Sequence, residues 1–369
     1  EGNVISSDTI SVENDKVKFG FNPPTHTVST VAGLYNTNGY VDATGSNARF
    51  SGFIDGLTVV GTDVYISDNS NYRIRKMTSA GVVTTIAGQN VTSSSAYADG
   101  VGAAAIIPHP EGMCNDGANI YFISGTSCTV RKLVISTGAV TTIAGSQYAQ
   151  GSTDATGTAA RFFYPKDITI DSTHTNLYIT DKANNKIRKL VIATGVVTTL
   201  ASATACWGIA IDSTDTNLYV SSWTGKCIFK IVIATGVVTT LFTYDDRLQG
   251  MVIDSNDEYL YVGTYQSHII LRVKVSDGTY IIYAGQEDTL GDTDGTLAES
   301  RFKVPWALAI DANDNMYVAG RNSYTIRKLT ASGGGAPTIT DVQNLTVTYT
   351  KSATANKNLL GKDSDVAVD

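Results

Sequence analysis

The chain has 369 residues, 42% of them hydrophobic, and carries a formal net charge of −7 at neutral pH. A nucleic-acid partner requires a basic surface, which this composition does not offer. No apolar run reaches the 18 residues of a membrane-spanning helix, so we expect neither a nucleic-acid ligand nor a membrane span.

The first segment, residues 1–27, is predicted to be an arm outside the main domain. Residues 9–13 and 16–21 alternate between polar and apolar types around an Asn-Asp turn, a pattern typical of a β-hairpin. The chain begins at Glu1 rather than methionine and is rich in hydroxyl side chains. We therefore expect a secreted protein, located outside the cell or on its surface.

A single pattern then recurs across residues 28–330: two β-branched strands joined by a Thr-Gly or Asp-Gly turn, most fully at residues 186–200. A basic residue marks the same position in six copies, Lys76, Lys132, Lys189, Lys230, Arg272 and Lys328. A second strand pair precedes each copy, as in residues 207–220. Units of roughly 40 residues that hold four short strands predict the blades of a β-propeller.

The repeat resembles the NHL-repeat family of extracellular six-bladed β-propellers. The matching stretches are Gly-Ile-Ala-Ile-Asp at 208–212, Leu-Tyr-Val-Ser at 218–221, Ile-Arg-Lys-Leu at 187–190 and Val-Val-Thr-Thr-Ile-Ala-Gly at 82–88. The resemblance covers about residues 28–330 and implies an all-β fold of six four-stranded antiparallel blades. It leaves the activity open, since the family includes scaffolds, binding modules and some enzymes.

The sequence also predicts how the ring closes. The sixth unit stops after its third strand at Leu329, whereas residues 28–33 form a fourth strand with no unit of its own. The N-terminal strand is therefore expected to complete the last blade, which leaves the ring without a free end.

Long linkers precede units one, two, three and six. Asp42, Asp154 and Asp294 are each followed seven residues later by an Arg-Phe pair, and unit two keeps Asp99 but has Ile106 and Ile107 instead. Residues 291–295 could be a fragment of a calcium loop, but further oxygen ligands and a bidentate glutamate are missing. We expect no cofactor or metal: the aspartate caps a turn, the arginine pairs with it, and the phenylalanine fills the blade interface.

Units four and five lack such linkers, which predicts a recess over them on the face of the variable loops. The candidate binding residues at its edge are Trp207, Trp223, Tyr244, Asp245, Arg247, Tyr265 and His268. Aromatic side chains beside carboxylates suit a glycan or a peptide. The alternative is that these aromatic side chains pack beneath the loops.

Four cysteines leave two interpretations open. Cys114 pairs in position with Cys128, and Cys206 with Cys227, each pair on the first and third strands of one unit. A secreted protein permits two disulfides, but the intervening strand would separate the cysteines by about 9–10 Å. The other possibility is four reduced, buried thiols.

The last segment, residues 331–369, begins with a Gly-rich linker and continues as an alternating strand at 338–350. It is either the stub of a truncated domain or a strand that docks elsewhere. Asn90 and Asn344 lie in N-glycosylation sequons.

The residue types present also indicate whether the protein is an enzyme, a structural subunit or a binding module. His26, His109, His174 and His268 fall in unrelated positions and cannot share one metal, and no nucleophile elbow occurs, so we expect no enzyme. The two β-rich arms favour self-association into a structural subunit of a surface assembly or filament. The alternative is a monomeric secreted binding module for a glycan or peptide; an NHL-type lyase or hydrolase is the third interpretation.

Overall fold

The computed structural model describes residues 9–13, 16–20, 26–89 and 97–330. Residues 26–330 form one compact unit of six antiparallel sheets, and the N-terminal segment holds a separate two-stranded hairpin. Helix among the described residues is limited to short 3-10 turns, and none of it has the length and hydropathy of a membrane span.

The strands follow the predicted repeat. Outside the blades lie the hairpin strands β1 (Thr9–Glu13) and β2 (Lys16–Gly20), the N-terminal strand β3 (Thr27–Gly33), and the short linker strands β8 (Gly100–Val101), β13 (Ala155–Thr156) and β26 (Gly295–Thr296). The first three blades contain β4 (Ile54–Val60), β5 (Asp63–Asp68), β6 (Arg73–Met77) and β7 (Val83–Gly88) in blade one; β9 (Pro110–Asn115), β10 (Asn119–Ser124), β11 (Thr129–Val134) and β12 (Ala139–Gly145) in blade two; and β14 (Pro165–Ile170), β15 (Asn176–Asp181), β16 (Lys186–Val191) and β17 (Val196–Ser202) in blade three. The last three contain β18 (Cys206–Ile211), β19 (Asn217–Ser222), β20 (Cys227–Val232) and β21 (Val238–Thr243) in blade four; β22 (Leu248–Ile253), β23 (Tyr259–Thr264), β24 (Ile270–Lys274) and β25 (Tyr280–Ala284) in blade five; and β27 (Pro305–Ile310), β28 (Met316–Gly320) and β29 (Thr325–Thr330) in blade six. The 3-10 turns are Gly45–Asn47, Asn69–Asn71, Gly102–Ala104, Gly157–Ala159 and Lys182–Asn184.

The N-terminal strand closes the ring, as predicted. β3 pairs antiparallel with β29, with Val28 opposite Leu329 and Ala32 opposite Ile326. The innermost strand of blade six, β27, packs beside β4 of blade one, so the six innermost strands surround a central channel. The six-bladed all-β architecture expected from the repeat is confirmed.

The linkers contact the loops that follow the second strands, as at the hydrogen bond from Asn184 to the Gly151 carbonyl, and they also run along the outer edges of the blades. Each adds a short fifth strand to the outer edge of the blade that follows: β8 pairs with β12, β13 with β17, and β26 with β3. In blade one a single bridge between Thr44 and Val82 takes this place. Blades four and five have no such strand, so what the missing linkers leave open is the outer edge formed by β21 and β25.

The linker aspartates pair with buried arginines of the blades, not with the linker arginines as predicted. Asp154 accepts a hydrogen bond from Arg188 of β16 at 2.6 Å and another from the Thr199 backbone at 2.9 Å. Arg161 of the same linker donates instead to nearby backbone carbonyls. The same pairing joins Asp42 to Arg75, Asp99 to Arg131 and Asp294 to Arg327. The third-strand arginine reaches the linker because both lie at the outer side of the sheet, and it rests on a buried linker phenylalanine in three blades.

The face opposite the variable loops is uniform. Turn residues Ser172, Ser213 and Ser255 donate backbone and hydroxyl hydrogen bonds to an aspartate in the corresponding turn of the next blade, respectively Asp215, Asp257 and Asp314. These repeated contacts hold blades three to six together, and they explain why the copies stay alike on that face.

Candidate binding site at the channel mouth

Six residues at one repeat position surround the mouth of the channel. They are the second residue of each innermost strand, which we call the inner ring: Asp55, Glu111, Lys166, Trp207, Gln249 and Trp306. A second set, the loop ring, follows the second strand of each blade: Asn69, Gly125, Lys182, Trp223, Tyr265 and Arg321. Adjacent antiparallel strands bring the start of one and the end of the next to the same sheet edge, so both rings lie on one face.

The inner ring is charged on the side of blades one to three. Lys166 is 9% exposed and forms ion pairs with Glu111 and, at 3.5 Å, with Asp55. Asn69 donates to Asp55 at 2.7 Å, and its side-chain oxygen lies 3.0 Å from Nδ1 of His109. This network fixes the lysine across the mouth, since its charge is met by buried carboxylates.

Two carboxyl groups beside this lysine have raised pKa values. Burial raises the pKa of Glu111 to about 7 although Lys166 opposes the shift. Burial also raises the pKa of Asp167 to about 7, against hydrogen bonds from the backbone of Ile168 and Ile209. Burial lowers the pKa of Lys166, but the charges of Asp55 and Glu111 outweigh this and raise it overall. The net charge of the mouth therefore changes near neutral pH.

The side of blades four to six is aromatic. Trp207 and Trp223 stack with ring centroids 4.5 Å apart, and Trp306 meets them edge-on at 5.4 and 5.9 Å. Tyr265 adds an edge contact to Trp223 at 5.0 Å. Trp207 and Trp306 are buried whereas Trp223 and Tyr265 are half-buried, so the latter two offer their surface to a ligand. All three tryptophans of the chain lie in this cluster.

Cationic side chains rest on the tryptophans. The Lys182 ammonium lies 4.2 Å from the Trp207 ring centroid, and the Arg247 guanidinium 5.1 Å from that of Trp223. Arg321 lies 4.9 Å from that of Trp306. These are cation–π distances, which fix the orientation of the aromatic wall.

Two buried groups at the mouth have no protein partner in the part of the chain that the structure describes. Both amide atoms of Gln249 and the indole nitrogen of Trp306 are buried and make no hydrogen bond there. Buried polar atoms are ordinarily satisfied, and these three are enclosed by the protein, so a ligand at the mouth reaches them only after side chains move.

Beneath the rings lies the channel, about 260 Å³ in volume and lined by the innermost strands. Asp55 and Asp167 face it at the mouth. Its far end is formed by Ile170, Ile211, Ile253 and Ile310 at the ends of four innermost strands, together with Asn115 at the end of β9.

The structure brings together four of the seven residues predicted for a binding face. Trp207, Trp223, Arg247 and Tyr265 meet at the mouth. The other three lie apart: Tyr244 packs on Phe242 and Tyr280, exposed Asp245 pairs with Lys226, and His268 accepts a hydrogen bond from the Val304 backbone. Tyr244 and Asp245 lie in the connection between blades four and five, and His268 lies in the loop between β23 and β24.

Sequence reasoning missed Asp55, Glu111, Lys166, Lys182, Gln249, Trp306 and Arg321. The signal was present, because aligning the six copies places Trp306 at the position of Trp207, and Arg321 at that of Trp223. The inner-ring position differs in nearly every copy, although the strand that carries it is otherwise regular.

The remaining predicted sites are as follows. Cys114, Cys128, Cys206 and Cys227 are free, buried thiols, the second of the two interpretations that the sequence left open. Asp292 and Asp294, in the suspected calcium fragment, bind Thr325, Arg327 and Thr30 instead. Among the described residues, no group of three or more His, Cys, Asp or Glu side chains could hold a metal ion. Asn90, Asn344 and the C-terminal strand lie outside the described residues.

Comparison with solved structures identifies the fold class. A protein of unknown function from Bacteroides thetaiotaomicron is 21% identical, with a TM-score of 0.66 over 82% of this chain and 75% of that one. An auxiliary nutrient binding protein from Bacteroides ovatus is 16% identical, with a TM-score of 0.62 over 87% and 82%. A streptogramin B lyase is 15% identical, with a TM-score of 0.54 over 83% and 98%.

These similarities show a six-bladed β-propeller whose structural neighbours include both binding proteins and enzymes. No family model and no curated protein matches the chain. The resemblance to the NHL-repeat family therefore stays a prediction, and function is argued from the site itself.

Proposed function

We propose that this propeller is a non-catalytic, secreted binding module that holds a saccharide at the channel mouth. The observation that carries the proposal is where the repeats differ. The copies share their turns, third strands and opposite face, but at the two rings they diverge into aromatic, cationic and acidic residues that meet in space.

The chemistry of the mouth suits a saccharide. A sugar ring has an apolar C–H face that packs on aromatic side chains and hydroxyls that need hydrogen-bond partners. Trp223 and Tyr265 supply a partly exposed aromatic surface. Half-buried Lys182, Arg247 and Arg321 supply hydrogen-bond donors beside it. The nutrient-binding protein from Bacteroides ovatus provides a precedent for binding on this fold.

Binding without turnover is favoured by how the two titrating carboxyl groups are held. Glu111 is engaged by Lys166, and Asp167 accepts hydrogen bonds from the backbone of Ile168 and Ile209. A general acid or base has to reach a substrate proton, and both groups are already engaged by protein partners.

A glycan array probed with the labelled full chain tests this proposal. We expect binding to a subset of saccharides, with at least a tenfold loss in Trp223→Ala. Tyr280→Ala removes an exposed aromatic residue on blade five's outer edge and should bind like the wild type. The proposal fails if no saccharide binds, or if both variants bind as the wild type does.

A structural subunit is the second candidate, favoured by the open outer edges of blades four and five. In β25 three consecutive side chains are well exposed: Tyr280 at 49%, Ile281 at 49% and Ile282 at 45%. β25 has no charged residue, and an uncovered apolar edge strand pairs readily with another strand. Residues 338–350 of another copy, which alternate as a strand does, are the partner we propose for this assembly.

Light scattering of the full chain tests the assembly. We expect oligomers that dissociate in Ile281→Lys, because a charge on the edge opposes strand addition. Leu290→Lys places the same charge on an exposed apolar residue outside the edge strands and should leave the mass unchanged. A monomeric wild type would reject this second function and leave the saccharide proposal untouched.

A further inference from the structure

We infer that the ligand of the channel mouth is an acidic saccharide, one whose carboxylate is bound by Lys182, Arg247 and Arg321. This inference rests on the proposed saccharide-binding function and specifies its substrate class. It follows from a set of cations at the mouth that the protein itself does not neutralise.

These three half-buried cations differ from the four fully buried arginines of the third strands. None of the three forms an ion pair or a side-chain hydrogen bond with any described residue. By contrast, the fully buried third-strand arginines each face a carboxylate, as Arg75 does with Asp42 and Asp68. The side-chain donors of these three neighbouring cations are therefore left for solvent or for an anion.

The three charges surround a single aromatic wall. Lys182 lies over Trp207, Arg247 over Trp223 and Arg321 over Trp306, and the three indole rings are in mutual contact. A ligand against Trp223 is therefore within reach of more than one cation. Guanidinium groups bind carboxylates through two parallel hydrogen bonds, and stacking on an aromatic ring leaves those donors free.

The acidic residues of the mouth make their hydrogen bonds and ion pairs with other groups. Asp55 and Glu111 share Lys166, and Asp167 is held by backbone N–H groups. Burial and repulsion from Lys166 lower the pKa of Lys182, and the nearby charges of Glu111 and Asp55 oppose this shift only in part. A bound carboxylate would relieve this destabilisation, since an opposite charge favours the protonated amine.

An acidic saccharide matches the combined chemistry better than a simple anion. A uronic acid has a ring face for Trp223 and Tyr265 and a carboxylate on the same ring for the cations. An acidic peptide would supply the charge but would gain less from the aromatic wall. A carboxylate on a sugar ring is thus the class that uses both parts of the site.

Tryptophan fluorescence of the full chain tests this inference, because all three tryptophans lie at the mouth. The probes are trigalacturonate, the neutral galactotriose and a tetraglutamate peptide. We expect trigalacturonate to change the emission with a dissociation constant at least tenfold lower than that of galactotriose. Its affinity should fall as the salt concentration rises. Arg247→Gln and Arg321→Gln should each weaken trigalacturonate binding about tenfold. Arg247→Lys should recover part of the loss.

The control variant is Lys274→Gln, which removes a cation at the end of β24, near the opposite face, and should bind trigalacturonate as the wild type does. Equal affinity for trigalacturonate and galactotriose, abolished by Trp223→Ala, would overturn the acidic specificity and keep the saccharide site. A response to tetraglutamate alone would overturn the saccharide class. No response to any of the three probes would overturn this inference; the glycan array then decides the proposed function separately.

Discussion

Arg188 and Asp154 join the body of blade three to the linker that runs along its outer edge. The arginine is fully buried on β16, and its Nη2 donates to the aspartate at 2.6 Å. Its other terminal nitrogen donates to buried Asp181 at 2.8 Å. In blades four and five, which have no linker, the same repeat position holds Phe229 and Leu271. The buried arginine therefore accompanies the linker, because without the linker aspartate its charge would lack a partner at the edge.

Replacing this arginine should destabilise the protein strongly. Arg188→Ala leaves the Asp181 carboxylate buried without its cation, and we expect a loss of about 3–5 kcal/mol in the free energy of unfolding. Urea denaturation followed by fluorescence measures this. Lys189→Ala, at the next and half-buried position of β16, should cost less than about 1 kcal/mol. Equal effects of the two substitutions would contradict the role assigned to the ion pair.

Stability should fall as the pH rises from about 4 to 7, through Asp167. Burial raises the pKa of this carboxyl to about 7 from an ordinary value of 3.8, so the folded state binds more protons in that window. The free energy of unfolding then decreases with pH, by roughly 4 kcal/mol from this group alone. Asp167→Asn, compared with the wild type by urea denaturation, should remove that part of the slope. Parallel pH profiles for the two proteins would show that Asp167 is not buried as described.

The thiols should be unreactive in the folded protein and all accessible after unfolding. The four cysteines are free and buried, and burial raises the pKa of Cys206 to about 12, so the reactive thiolate is scarce at pH 8. A thiol reagent such as DTNB should count few thiols at first and four per chain in denaturant. A count of zero in denaturant would indicate two disulfides. The paired positions are separated by a central strand, with Ser222 between Cys206 and Cys227.

Affinity for an acidic saccharide should fall as the pH rises from 6 to 8. Burial raises the pKa of Glu111 to about 7, so its charge appears in this window and opposes an anion at the mouth. A uronic acid stays ionised throughout, so the change belongs to the protein. Glu111→Gln should flatten the profile measured by fluorescence titration. An increase in affinity with pH would contradict this electrostatic account.

The fold could be predicted from the sequence because each blade repeats one pattern of strands and turns. The unmatched strand near Val28 and the missing fourth strand after Leu329 even specified the closure, since each lacks a partner that only the other can provide. The linker course could not be predicted in this way. Its aspartate pairs with an arginine of the following blade, as Asp154 does with Arg188, and this contact depends on which edge the linker follows.

The site was predicted only in part, because the place of a residue in a single strand does not show which residues of other blades it will meet. Trp207, Trp223 and Tyr265 were recognised as aromatic residues at loop and strand ends. Lys166 and Trp306 were overlooked because each looks like an ordinary member of a strand. Only the ring arrangement brings them to one mouth, where six equivalent positions with different side chains become a single surface.

The most direct test of the central claim, that the mouth is a binding site, is fluorine NMR of the full chain labelled with 5-fluorotryptophan. The spectrum should contain three resonances, one for each tryptophan at the mouth. Trp223→Phe identifies the half-buried residue. We predict that millimolar trigalacturonate shifts the Trp223 resonance most. Three unchanged resonances with every saccharide that the glycan array selects would contradict the account.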